Sequence, residues 1–139
     1  MRKNHCVLLT ILLLPLVSAG CNQVRYDYTN LTGKVSVDGT ALTTEGSITF
    51  YPQDAGKGKG VFTPIGTDGF YKAEKVPLGK TLVKVTSTRK SGKKVIVFGQ
   101  EMDEFVSALP EHYNQGGIWY DISAGQTELN IELTSKPQP

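Results

Sequence analysis

The chain is expected to be all-β: a single seven-stranded antiparallel β-sandwich after a cleaved signal peptide. Three observations carry this. Short runs alternate apolar and polar residues with period two, as strands with one dry face do. Turn pairs and Gly- or Pro-containing breaks separate these runs roughly every 8 to 12 residues, the spacing of sandwich strands. No helical repeat is long enough to cross between parallel strands.

At 139 residues there is room for one domain. Residues 1–20 read as a leader. Arg2 and Lys3 make a basic start, residues 7–17 form an apolar run broken by Thr10 and Pro15, and Ser18-Ala19-Gly20 is a small-residue cleavage site. The run is too short for a comfortable membrane span. Its removal leaves 139 − 20 = 119 residues and takes away two cations and no acid, so the formal charge becomes +2 − 2 = 0. A neutral domain lacks the positive footprint that nucleic-acid binding needs, and no such partner is expected. Cys6 lies in the leader, so the mature chain keeps one thiol, Cys21, and has no internal disulfide.

Residues 21–30 form a polar tether reaching about 30 Å at roughly 3.3 Å per residue. Residues 31–134 form the domain and 135–139 a frayed tail. Leu31, Val35 and Val37 alternate with Thr32, Lys34 and Ser36 until Asp38-Gly39 turns the chain. Ile48 and Phe50 alternate with Ser47, Thr49 and Tyr51. Residues 54–60 are a Gly-rich connection without the spacing of a phosphate cradle.

Val61, Thr63 and Ile65 lead into residues 67–86, the pair of strands around which the sheet is organised. Asp68-Gly69 is its turn, and residues 81–88 carry β-branched side chains at nearly every other position. The basic run 89–94 reads as a hairpin tip before residues 95–98. Met102, Phe105, Val106 and Leu109 have helical spacing, which predicts one or two turns stopped by Pro110. Ile118, Tyr120 and Ile122 alternate with Trp119 and Asp121. Leu129, Ile131 and Leu133 alternate with Asn130 and Glu132, predicting a final hairpin with one buried face.

Catalysis needs a nucleophile with a base, paired carboxylates or clustered metal ligands. His5 belongs to the leader, which leaves His112. Glu111-His112 beside Asp103 and Glu104 is short of the nitrogen or sulfur ligands that zinc prefers. No catalytic residue, metal site or cofactor is expected, and the chain reads as a non-enzyme. Trp119, Tyr113 and Tyr51 are the candidate ligand contacts. Trp119 faces opposite to Ile118, Tyr120 and Ile122, outside the apolar set. Two functions fit these rings: contact with a protein or envelope polymer through loops or a sheet edge, and carbohydrate binding by stacking.

Two resemblances extend this reading. Leu16-Val17-Ser18-Ala19-Gly20-Cys21 resembles the bacterial lipoprotein signal, with Ser18 where that pattern prefers Leu. It implies cleavage between Gly20 and Cys21, a diacylglyceryl group on the Cys21 thiol and an acylated, palmitate-bearing terminus that anchors the chain to membrane. Asn22, in place of the Asp of an inner-membrane retention signal, favours outer-membrane or surface placement.

Residues 31–42 (LTGKVSVDGTAL), 46–52 (GSITFYP) and 67–71 (TDGFY) resemble the signatures of carboxypeptidase regulatory-like domains, and residues 109–113 (LPEHY) resemble a stretch found in lipoproteins of that kind. Ala41 stands where Pro is usual. The likeness implies a transthyretin-like (prealbumin-like) β-sandwich with no catalytic groups. The histidines and terminal motif of the related 5-hydroxyisourate hydrolases are not found.

Overall fold

A computed structural model describes residues 27–136. The leader, Gly20 and Cys21 lie outside the described residues. Nine strands are present among the described residues: β1 (Tyr28–Val37), β2 (Thr40–Ala41), β3 (Gly46–Pro52), β4 (Val61–Ile65), β5 (Phe70–Pro77), β6 (Gly79–Val97), β7 (Gln100–Ser107), β8 (Ile118–Ile122) and β9 (Ile131–Leu133). Two short 3-10 turns, Ala55–Lys57 and Glu111–Tyr113, interrupt them. The all-β class is as expected. The count of seven and the purely antiparallel pairing are not, because β2 and β7 add strands and β9 runs parallel to β1.

The strands form one curled sheet in the order β2-β1-β5-β4-β3-β6-β7, with β8 added to β6 and β9 to β1. At 19 residues, β6 serves two neighbourhoods. Its residues 81–87 pair with β3 and 79–83 with β8 on the other side, whereas residues 88–97 pair with β7. β1 is divided in the same way: residues 28–34 pair with β5, and residues 35–37 pair with β9. The register shift between Thr29 and Leu31 marks a bulge on β5, where Glu74 and Lys75 oppose Asn30, Lys75 takes a φ of 57° and its backbone N–H donates to the Asn30 side-chain oxygen at 3.0 Å.

Three local expectations are corrected. Residues 100–107 are strand, not helical turns. Met102 and Phe105 do have helical spacing, but both are exposed, and the segment zips against β6 after a reversal at Phe98-Gly99. That reversal also displaces the expected hairpin tip at 89–94, which holds only a register shift between Lys90 and Lys94. Third, residues 118–122 and 131–133 are not a hairpin. β8 adds to β6, and the chain then passes along β1, where the Thr32 N–H donates to Thr127 O and the Leu129 N–H to Thr32 O, before β9 pairs with β1 in parallel. Their alternation is kept, with Ile122, Ile131 and Leu133 buried. Alternation selects the dry face of a strand and leaves its partner open.

The core lies inside the curl. Leu31, Val35, Ile48, Phe50, Val76, Val83, Ile122, Ile131 and Leu133 are buried there. Each such side chain contributes about 1.5–3 kcal/mol relative to exposure. The buried hydroxyls are paired: Thr63 donates to Lys72 O at 2.6 Å, Thr81 to Gly79 O at 3.1 Å and Ser87 to Glu45 O at 2.9 Å. Gly33 permits the passage over β1, since a Cβ there would stand 1.9 Å from Leu129 O. Tyr71 grips the same carbonyl, its hydroxyl donating to Leu129 O at 2.6 Å, and burial pushes its phenol above the ordinary range.

Two turns of one geometry show what the sequence spends on each. Asp38-Gly39 has φ of 48° and 77°, and Phe98-Gly99 has φ of 50° and 78°. Asp-Gly and Asn-Gly are the favoured pairs for such primed turns. Phe98 is not, and holding it left-handed costs about 1–2 kcal/mol.

Candidate functional site

Strand periodicity decides which side chains of β3, β6 and β8 face outward. Ile48 and Phe50 enter the core, so Thr49 and Tyr51 face out. Val83 and Val85 enter, so Leu82 and Lys84 face out. Register then aligns one row across three strands: Tyr51 pairs with Leu82, and Leu82 pairs with Trp119. Two strand spacings separate the backbones that carry the two rings, about 10 Å. Tyr51 is 47% and Trp119 49% exposed, so each ring presents about half its surface to solvent.

Cations and a third ring surround this ledge. Lys80 Nζ stands 5.5 Å from the centroid of the Trp119 ring, a cation–π contact worth about 0.5–1 kcal/mol at an exposed site. Lys84 is opposite Thr49, and Thr49 is opposite Phe62 on β4, which is 68% exposed. The ledge is therefore apolar along its row, with Lys80 and Lys84 on its flank and Asp121 opposite Lys80. Its side chains rise from paired strands, which hold them in fixed register.

Tyr113 takes a different position. It sits in the turn Glu111–Tyr113, packs in part against the core and accepts from the Thr134 N–H at 3.2 Å through its hydroxyl oxygen. The His112 ring lies 4.1 Å from it, centroid to centroid. Tyr113, Trp119, Tyr120 and Glu132 line an open cleft of about 520 Å³. The Tyr120 phenol is pushed up, first by burial and then by Tyr113 and Glu132 nearby, so it is a neutral hydroxyl at physiological pH. Trp119 is the residue common to ledge and cleft.

The acids considered beside His112 are occupied elsewhere. Asp103 is ion-paired with Lys90 and, at 2.7 Å, with Lys94, and Glu104 accepts from the Ser91 hydroxyl. Among the described residues, no three His, Cys, Asp or Glu side chains are grouped to hold a metal. The arrangement offers stacking surface, cations and phenol hydroxyls, which are binding chemistry. Leu82, Lys80 and Phe62 were not anticipated. Leu82 and Phe62 did carry a signal, since each is a large apolar residue at the outward phase of its strand. The row they join depends on register, which periodicity leaves open.

Comparison with known proteins gives no match among family models, curated proteins or solved structures. No helix among the described residues is long and apolar enough to cross a membrane.

Proposed function

We propose that the chain is a non-catalytic, lipid-anchored module of the bacterial cell envelope, a transthyretin-like β-sandwich tethered through acylated Cys21 that contacts a protein or polymer partner. The observation that carries the binding role is the Tyr51-Leu82-Trp119 row, three apolar side chains aligned on an outer sheet face with Lys80 and Lys84 beside them. The sandwich reading is supported by the narrow junction between β4 and β5, where Ile65↔Tyr71 is the one register pair and the sheet can turn from one layer to the next. The anchor reading is supported by the leader and the Cys21 that follows it, and Asn22 favours the outer membrane or surface.

Carbohydrate binding is the second reading, and the pair of outward rings in one row supports it. Two half-exposed aromatics carried on strands about 10 Å apart offer two stacking platforms for successive sugars of an extended glycan. Pull-down of the lipoprotein on insoluble envelope polysaccharide separates the two readings. Retention lost several-fold in Trp119→Ala and in Tyr51→Ala assigns the ledge to a glycan, and crosslinking to an envelope protein that requires the same residues assigns it to a protein partner. Partner capture that both variants leave intact removes the ledge from the account. The anchor has its own test: intact mass of the membrane-extracted chain must equal residues 21–139 plus acyl groups, and Cys21→Ala must release or misprocess the protein.

A further inference from the structure

The outer half of β6 and the whole of β7 leave the sheet as a two-stranded arm. Beyond Ser87, β6 has left β3, and β7 has its ladder partner in β6. The arm ends in the most exposed apolar residues of the described chain: Ile96 is 75% and Phe98 102% exposed, with Val97 and Met102 beside them. Phe98 occupies a left-handed turn position where Asn or Gly is the unstrained choice, and its ring packs on nothing. Folding gives no reason for a phenylalanine there. Contact with an apolar phase does.

We propose that this tip inserts into the headgroup–acyl boundary of an anionic bilayer, led by Phe98 with Ile96 and Val97 beside it, Glu101 opposite Ile96 kept at headgroup level and Lys93 on lipid phosphate. The shape favours lipid over a protein partner. The tip is the Phe98-Gly99 turn closing a two-stranded ribbon, a narrow apolar wedge around which a fluid bilayer can close. Lys94 is held by Asp103, so the cation for lipid is Lys93, which precedes Phe98 by five residues, roughly 17 Å along a strand, and whose flexible stem can reach back toward the tip. Arg89, Lys90, Lys93 and Lys94 against Glu101, Asp103 and Glu104 leave 4 − 3 = +1. Attraction to anionic lipid is therefore modest, and the apolar tip supplies most of the affinity.

The bilayer meant is the one that would hold Cys21, and this placement rests on the anchor proposed above. The Leu78 N–H donates to Asp27 O, which puts the tether beside the start of β6, and the tip lies at the other end of that strand, up to about 60 Å along it. Both ends reach one membrane when the body lies on its side. A weak wedge is enough there, because the anchor holds it at high effective concentration.

The chain has a single tryptophan, so Phe98→Trp with Trp119→Phe makes the tip the only indole. The lipoprotein is mixed with vesicles of phosphatidylethanolamine and phosphatidylglycerol, and emission and flotation are read together. A blue shift, with quenching by brominated acyl chains, is expected. Adding Ile96→Asp should abolish both while flotation and far-ultraviolet circular dichroism stay unchanged. Solvent-like emission from protein that floats overturns the proposal. Protein that does not float refutes the anchor alone, and the tip must then still shift on titration with excess vesicles or the proposal fails as well. A shift with soluble envelope proteins and none with vesicles also overturns it.

Discussion

The two halves of β6 are one unbroken strand in opposite surroundings. In the first half Thr81, Val83, Val85 and Ser87 are buried and alternate with outward Leu82, Lys84 and Thr86. In the second half no residue is buried, although residues 95–97 are all apolar. Both halves keep a hydrogen-bonded ladder, so pairing alone makes strand. Burial needs other apolar side chains to close over a strand face, which the inner half finds in the core cluster and the outer half does not. The body is thus held by apolar area and the arm by its ladder, its turn and its ion pairs.

The sharpest test compares phenylalanines. Phe50→Ala is expected to cost about 3–5 kcal/mol in urea unfolding, against less than about 0.5 kcal/mol for Phe105→Ala on the arm. Comparable losses would abolish the distinction between the regions. Gly33→Ala should follow at about 2–4 kcal/mol, because the new Cβ meets a backbone carbonyl that can move only if the passage over β1 shifts. Faster amide exchange at Ile131 would locate that damage at β9.

On the arm the sign reverses. Phe98→Asn should stabilise by up to about 1 kcal/mol by relieving the left-handed phenylalanine, seen as slower amide exchange in β7. No change would mean that the turn carries little strain. The smallest effect concerns pH. Hydrogen bonds and charge from Lys90 and Lys94 lower the Asp103 carboxyl from 3.8 to about 2. Because the folded value is the lower one, its contribution is present above about pH 4 and fades as pH falls toward about 2. Exchange in β7 should accelerate over that interval more than in β3, and Asp103→Asn should remove the difference.

The body was more legible than the arm for the same reason. Alternation at residues 31–37, 48–51 and 118–122 reflects a dry inner face, and each run is a strand with that face buried or half-buried. Met102, Phe105 and Val106 misled because their spacing fits a helix while no surface selects either period. Of the three rings expected to meet ligand, Tyr51 and Trp119 share a row through Leu82, and Tyr113 shares only the cleft with Trp119.

By itself the sequence determined that this is a β-protein, where most of its turns fall and which face of each body strand is dry, because these follow from local sterics and from period-two exposure to water. Tertiary structure alone decided that β9 joins β1 in parallel, that Tyr51, Leu82 and Trp119 align, and that half of β6 stands free. Those outcomes depend on which distant backbone donors and acceptors meet, and a strand's own residues do not encode its neighbour's register.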